Sequence, residues 1–201
     1  MMNNLEKIKI LKLILEIAES IKYRGLMFNE RYLHHFFTNQ FQAMGSFQNL
    51  NDENATIILH PEWPTYKKQT NLKFGRYKKE GKIYKPNASG TAGFIDFAIG
   101  NYNKPYIGIE FSLKYGWSNE EIVYDILKLL DKKNPFTVSI SLNIIFRERQ
   151  LVKGGYLKNL EDHMNKAYKE AISRLNNDKC EFSRELYLII TEIAKYMTKF
   201  E

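Results

Sequence analysis

Two apolar segments, each interrupted by one acid, flank a turn near the middle of this chain. Phe94-Ile95-Asp96-Phe97-Ala98-Ile99 and Tyr106-Ile107-Gly108-Ile109-Glu110-Phe111-Ser112-Leu113-Lys114 are rich in strand-forming residues. Gly100-Asn101-Tyr102-Asn103-Lys104-Pro105 between them has turn chemistry, so the segment predicts a β-hairpin. Asp96 and Glu110 are equally distant from Asn103, and folding about that residue sets them opposite each other. Like charges directly opposed weaken a sheet, and carboxylates among apolar neighbours lose hydration unless something compensates. A divalent cation held between them removes both costs. Mg²⁺, or Mn²⁺ in its place, bound by carboxylates and a phosphate, suits the residue types present. Simple solvation on the outer face of an antiparallel sheet is the alternative reading.

The remaining composition narrows the class. With 201 residues, 44% of them hydrophobic and 14% aromatic, the chain can build one sizeable core and is not a disordered one. The expected organisation is a single domain over 1–201, with a core at about 29–146 and a helical N-terminal extension over 1–28. One cysteine, Cys180, excludes an intrachain disulfide and suits a reducing, cytoplasmic setting. No run of 18 uncharged apolar residues exists, so no membrane span is expected, and Lys7, Lys9, Lys12 and Glu16 break up any signal-peptide core.

The net charge of +7 is concentrated in one place. Lys67, Lys68, Lys73, Arg76, Lys78, Lys79, Lys82 and Lys85 stand against Glu80 alone, an excess equal to that of the whole chain. Tyr66, Phe74, Tyr77 and Tyr84 are interleaved among them. Cations with aromatics suit a nucleic acid, whose phosphates give salt-sensitive affinity and whose bases stack on rings. A solvated loop that aids solubility is the bland alternative.

Elsewhere the pattern alternates helices and strands. Leu5, Ile8, Leu11, Leu15, Ala18 and Ile21 predict a helix over 5–22. A second is predicted from Asn29 to about Met44, ended by Gly45, with Leu33, Phe36, Phe37 and Phe41 inward. Residues 56–60 read as a strand stopped by Pro61 and Pro64. Ser118 and Glu121 form a capping box for a helix reaching about Lys132. A buried strand over 136–146, a helix over 156–176 and a last strand over 184–193 follow. The order α-α-β-β-β-α-β-α-β predicts an α/β fold, a central mixed sheet flanked by helices. Four scattered histidines and one cysteine offer no zinc spacing. His60 and Glu62 flank Pro61 close to the acids. Gly154-Gly155 lacks the rest of a phosphate-binding loop.

The order of elements, with Asp96 on one strand and Glu110 on the next, resembles the PD-(D/E)XK nuclease superfamily, the restriction-endonuclease-like fold. The resemblance covers residues 29–146 and rests on three or four residues. It implies a restriction-endonuclease-like sheet, metal-dependent hydrolysis of phosphodiester bonds, and Asp96 and Glu110 as metal ligands. Glu30, early in a helix before the sheet, matches the extra acid that many members add. The family lysine belongs at 112, where this chain has Ser112. Lys114 stands one pleat further on the same face, the role can pass to Lys128 on the next helix, or it is lost.

The expected activity is therefore a Mg²⁺- or Mn²⁺-dependent nuclease, with Asp96, Glu110 and Lys114 catalytic and Asp96, Glu110 and Glu30 on the metal. Lys67, Lys68, Lys73, Arg76, Lys78, Lys79 and Lys82 would hold the nucleic acid, DNA before RNA. A homodimer is compatible with such a role, and a membrane is not the expected partner. The alternative is an inactive nuclease fold that binds nucleic acid or a protein.

Overall fold

The computed structural model describes residues 4–22, 30–44, 58–64, 77–80, 83–86, 94–101, 104–114, 119–130, 134–147, 156–177 and 185–194. Helices α1 (Asn4–Lys22), α2 (Glu30–Met44), α3 (Asn119–Leu130) and α4 (Tyr156–Asn177) accompany strands β1 (Ile58–Pro64), β2 (Tyr77–Glu80), β3 (Ile83–Pro86), β4 (Phe94–Gly100), β5 (Pro105–Lys114), β6 (Val138–Arg147) and β7 (Glu185–Ala194). Five strands form one sheet in the order β1-β4-β5-β6-β7, while β2 and β3 pair separately. The pairings β1–β4 and β4–β5 are antiparallel, and β5–β6 and β6–β7 are parallel. The fold is α/β with an open mixed sheet.

The central hairpin has the register its symmetry predicts. Phe97 pairs with Ile109, Ala98 with Gly108 and Ile99 with Ile107, so Asp96 and Glu110 stand at the next step beyond the paired ladder. Gly100, at φ +143°, and an irregularity beside it close the turn. That backbone angle lies where side chains are strained, which suits glycine.

Alternation then assigns the two faces. Phe97, Ile99, Ile107, Ile109, Phe111, Val138, Ile140 and Leu142 form one core with α1 and α2. Phe37 and Phe41 of α2 are fully buried there, each contributing about 1.5–3 kcal/mol by leaving water. On the other face α3 packs against α4 through Ile122, Val123, Ile126, Leu127, Met164 and Ala167, with Leu186 and Leu188 beneath. Phe136 lies on that face directly over Gly108, where an added Cβ would stand 2.7 Å from its ring.

Three expectations differ from what is found. The buried stripe of α1 is Ile10, Leu13, Ile14, Ile17, Ala18 and Ile21, whereas Leu5, Ile8 and Leu15 are exposed. The helix carries apolar residues on two faces, and the fuller one takes the core. Strand β1 does not stop at its prolines but runs from Ile58 through Pro61 to Pro64. It is a sheet edge, where a missing N–H costs no ladder bond. Finally, the basic segment contains a hairpin: Tyr77–Glu80 pairs with Ile83–Pro86, and β3 runs past α3 and α4.

Candidate functional site

The site is built where strict alternation along β4 breaks. Phe97 and Ile99 pack with α1 and α2, but both Ile95 and Ala98 pack with Leu129 and Phe136 on the other side. Their partner strand shows the same turnover. Leu59 joins the α1–α2 core, Trp63 joins Ile95, and between them Glu62 has φ +51°. Asp96 sits at this crossing point. Instead of pairing by its backbone, it accepts a hydrogen bond on Oδ2 from the Phe111 N–H, 2.7 Å away. Its carboxylate is thereby pinned to β5 beside Glu110.

Helix α2 brings two more groups to it. Glu30 and His34 are one helical turn apart and share a face. His34 packs edge-on against Phe97 and Phe111, with centroids at 5.2 and 5.5 Å. This stacking aims its Nε2 at Asp96 Oδ1, 3.8 Å away. That buried nitrogen has no hydrogen-bond partner. One donor atom each from Glu30, His34 and Asp96 lie within 4.8 Å of one another, the only such trio among the described residues. Two carboxylates and an imidazole form a donor set that fits Mn²⁺ well and Mg²⁺ acceptably.

Glu110 does not join the trio. It is 2% exposed and points to the α3 side, where Lys128 Nζ stands 2.6 Å from its Oε1. Lys128 is itself 6% exposed. Its ammonium also meets Asp125 Oδ1 at 3.3 Å and donates to the Phe94 carbonyl oxygen at 3.1 Å. The Tyr124 ring lies 4.8 Å from it. Burial raises the proton affinity of Glu110, the Asp125 and Asp96 charges add to the effect, and Lys128 opposes it. For Lys128, burial favours loss of the proton, but the Glu110 and Asp125 charges outweigh this and hold it protonated.

Ser112, at the position the family pattern gives to lysine, is buried on the face of Glu110. Ser139, Ser141 and Asn143 of β6 continue this polar strip, and Asn143 Nδ2 donates to both Ser141 oxygens. Lys114 is the last residue of β5, paired with Ile145, and its side chain lies outside the described residues. So do Lys67, Lys68, Lys73, Arg76 and Lys82, and the side chains of Lys78 and Lys79.

The structure therefore brings Glu30 to Asp96 and gives Glu110 to Lys128. His34 escapes a reading of the sequence because a search for zinc spacing looks for several histidines and cysteines. Its signal is an acid and a histidine four apart on one helix face. Asp125 reads in the sequence only as an acid favouring its helix N-terminus. No family model, curated protein or solved structure matches this chain.

Proposed function

We propose that this protein is a metal-dependent nuclease, built on a restriction-endonuclease-like fold, that hydrolyses phosphodiester bonds in nucleic acid, DNA in preference to RNA. The observation that carries the proposal is the meeting of Glu30, His34 and Asp96 beside a buried Glu110–Lys128 pair. The trio would hold a divalent ion, Mg²⁺ or Mn²⁺, which supplies Lewis acidity toward a phosphate and lowers the pKa of bound water. The other roles belong to the chain. The Phe111 N–H fixes Asp96, and the aromatic pair Phe97 and Phe111 fixes His34. Lys128 brings a positive charge to a water-poor setting, where it counts for more than at the surface. The basic hairpin, which runs past α3, would contact the phosphate backbone.

Two observations favour a second reading, an inactive fold that binds nucleic acid. Ser112 replaces the motif lysine, and Lys128 is engaged by protein oxygens. Calorimetric titration with Mn²⁺ addresses the metal site. Wild-type protein should bind the ion, and Asp96→Asn and His34→Ala should each weaken binding at least tenfold. Unchanged binding in both variants would rule out the trio as the ligand set.

A further inference from the structure

Lys128 has the surroundings of a bound cation. Its Nζ is met by three oxygens from three elements: Glu110 Oε1 of β5 at 2.6 Å, Asp125 Oδ1 of α3 at 3.3 Å and the Phe94 carbonyl of β4 at 3.1 Å. An ammonium has three N–H donors and no acceptor. The Phe94 carbonyl accepts a hydrogen bond and the two carboxylate oxygens stand at ion-pair distance, so protein oxygens hold the charge from three elements. Two carboxylates and a carbonyl are also the hard oxygen ligands that a divalent ion takes. The side chain that fills the cage comes from α3 itself and is nearly sealed from water.

We propose that the Lys128 ammonium stands in for a second metal ion, so that the site works with one divalent ion, at Glu30, His34 and Asp96. The single-ion part rests on the nuclease reading, while the cation cage stands on its own geometry. Lys128 then acts as a fixed charge beside the reacting phosphate. A divalent ion entering the cage of the native protein would have to displace a positive charge tied to two carboxylates. Removing that charge frees an oxygen-lined position. The ligand oxygens would close by about 0.5–1.2 Å from ammonium to metal distances, a movement open to the side chains of Glu110 and Asp125.

The test counts Mn²⁺ ions, with Mn²⁺ alone as the probe, by calorimetry and by electron paramagnetic resonance of free Mn²⁺. Lys128→Gln should bind one more ion than wild type. Glu110→Gln/Lys128→Gln, which neutralises the cage, should lose the gained ion or bind it at least tenfold more weakly. Melting carries the same information. At free Mn²⁺ about 100 times its dissociation constant, the folding equilibrium of Lys128→Gln should shift roughly a hundredfold further than that of wild type. The increment is read whether or not the Glu30–His34–Asp96 trio binds metal, so failure of the nuclease reading leaves this result interpretable. An equal ion count in Lys128→Gln and wild type would overturn the proposal. So would a Lys128→Gln chain that stays unfolded in saturating Mn²⁺ while the double variant folds.

Discussion

Replacing Lys128 by Met should be among the most damaging single changes in the molecule. The ammonium neutralises Glu110, which is 2% exposed, from 2.6 Å away. Methionine keeps most of the side-chain volume and removes the charge. Breaking a buried pair from one side typically costs about 3–5 kcal/mol, because the surviving charge is left uncompensated. Removing both charges, in Glu110→Gln/Lys128→Met, should instead fall within about 1–2 kcal/mol of wild type. The loss should also depend on pH. Burial already raises the Glu110 carboxyl above its ordinary 4.5, and Lys128 is the group that opposes the rise. In Lys128→Met the folded-state pKa therefore climbs further. A carboxyl whose folded pKa is raised favours the fold below its unfolded pKa and loses that contribution as pH increases toward the folded value. The defect relative to wild type should thus be small near pH 4.5 and grow, by up to about 1.4 kcal/mol per pH unit, once the pH passes the raised Glu110 pKa of the wild-type fold. Urea unfolding of wild type and both variants at pH 4.5, 6 and 8 measures this. A Lys128→Met defect below about 1 kcal/mol at pH 8, with no pH dependence, would show that Lys128 does not compensate a buried Glu110 charge.

Gly108→Ala should destabilise by about 1–3 kcal/mol, since its Cβ would meet the Phe136 ring at 2.7 Å, and Phe136→Leu should restore part of the loss. Thermal melting of the single and double variants reads this. Replacing Leu5 and Ile8 by Lys should change stability by no more than about 0.5 kcal/mol per site, because both side chains are largely exposed. A denaturation series decides whether that face of α1 stands free of the core. Changing Lys78, Lys79 and Lys82 to Ala should flatten the log–log salt dependence of DNA binding by roughly 0.9 for each phosphate no longer neutralised. Fluorescence anisotropy between 50 and 200 mM salt shows whether the slope moves.

Much of the fold was legible because periodicity and turn chemistry are local. The second helix, the hairpin register about Asn103 and the positions of the two later strands follow from spacing that tertiary contacts did not override. The buried face of α1 was not legible, since two apolar stripes compete and the rest of the protein chooses between them. Nor was the continuation of β1 through Pro61 and Pro64, which depends on its being an edge strand. At the site, the sequence placed Asp96 opposite Glu110 but not the turnover beside Asp96. Alternation assumes a regular pleat, and Glu62 at φ +51° on the neighbouring strand marks where that assumption fails. The result is Asp96 beside α2 and Glu110 beside α3, each with partners far away in the chain.

We propose Glu30, His34 and Asp96 as a metal-dependent centre for cutting nucleic acid. Cleavage of labelled single- and double-stranded DNA and RNA, with and without Mn²⁺, tests it most directly when wild type is compared with Asp96→Asn. Wild type should cut DNA in the presence of the ion and not in its absence, and Asp96→Asn should lose about 10²-fold or more of that rate. No ion-dependent cleavage of any of these substrates by wild type, or an equal rate in Asp96→Asn, would rule out a nuclease centre at Asp96.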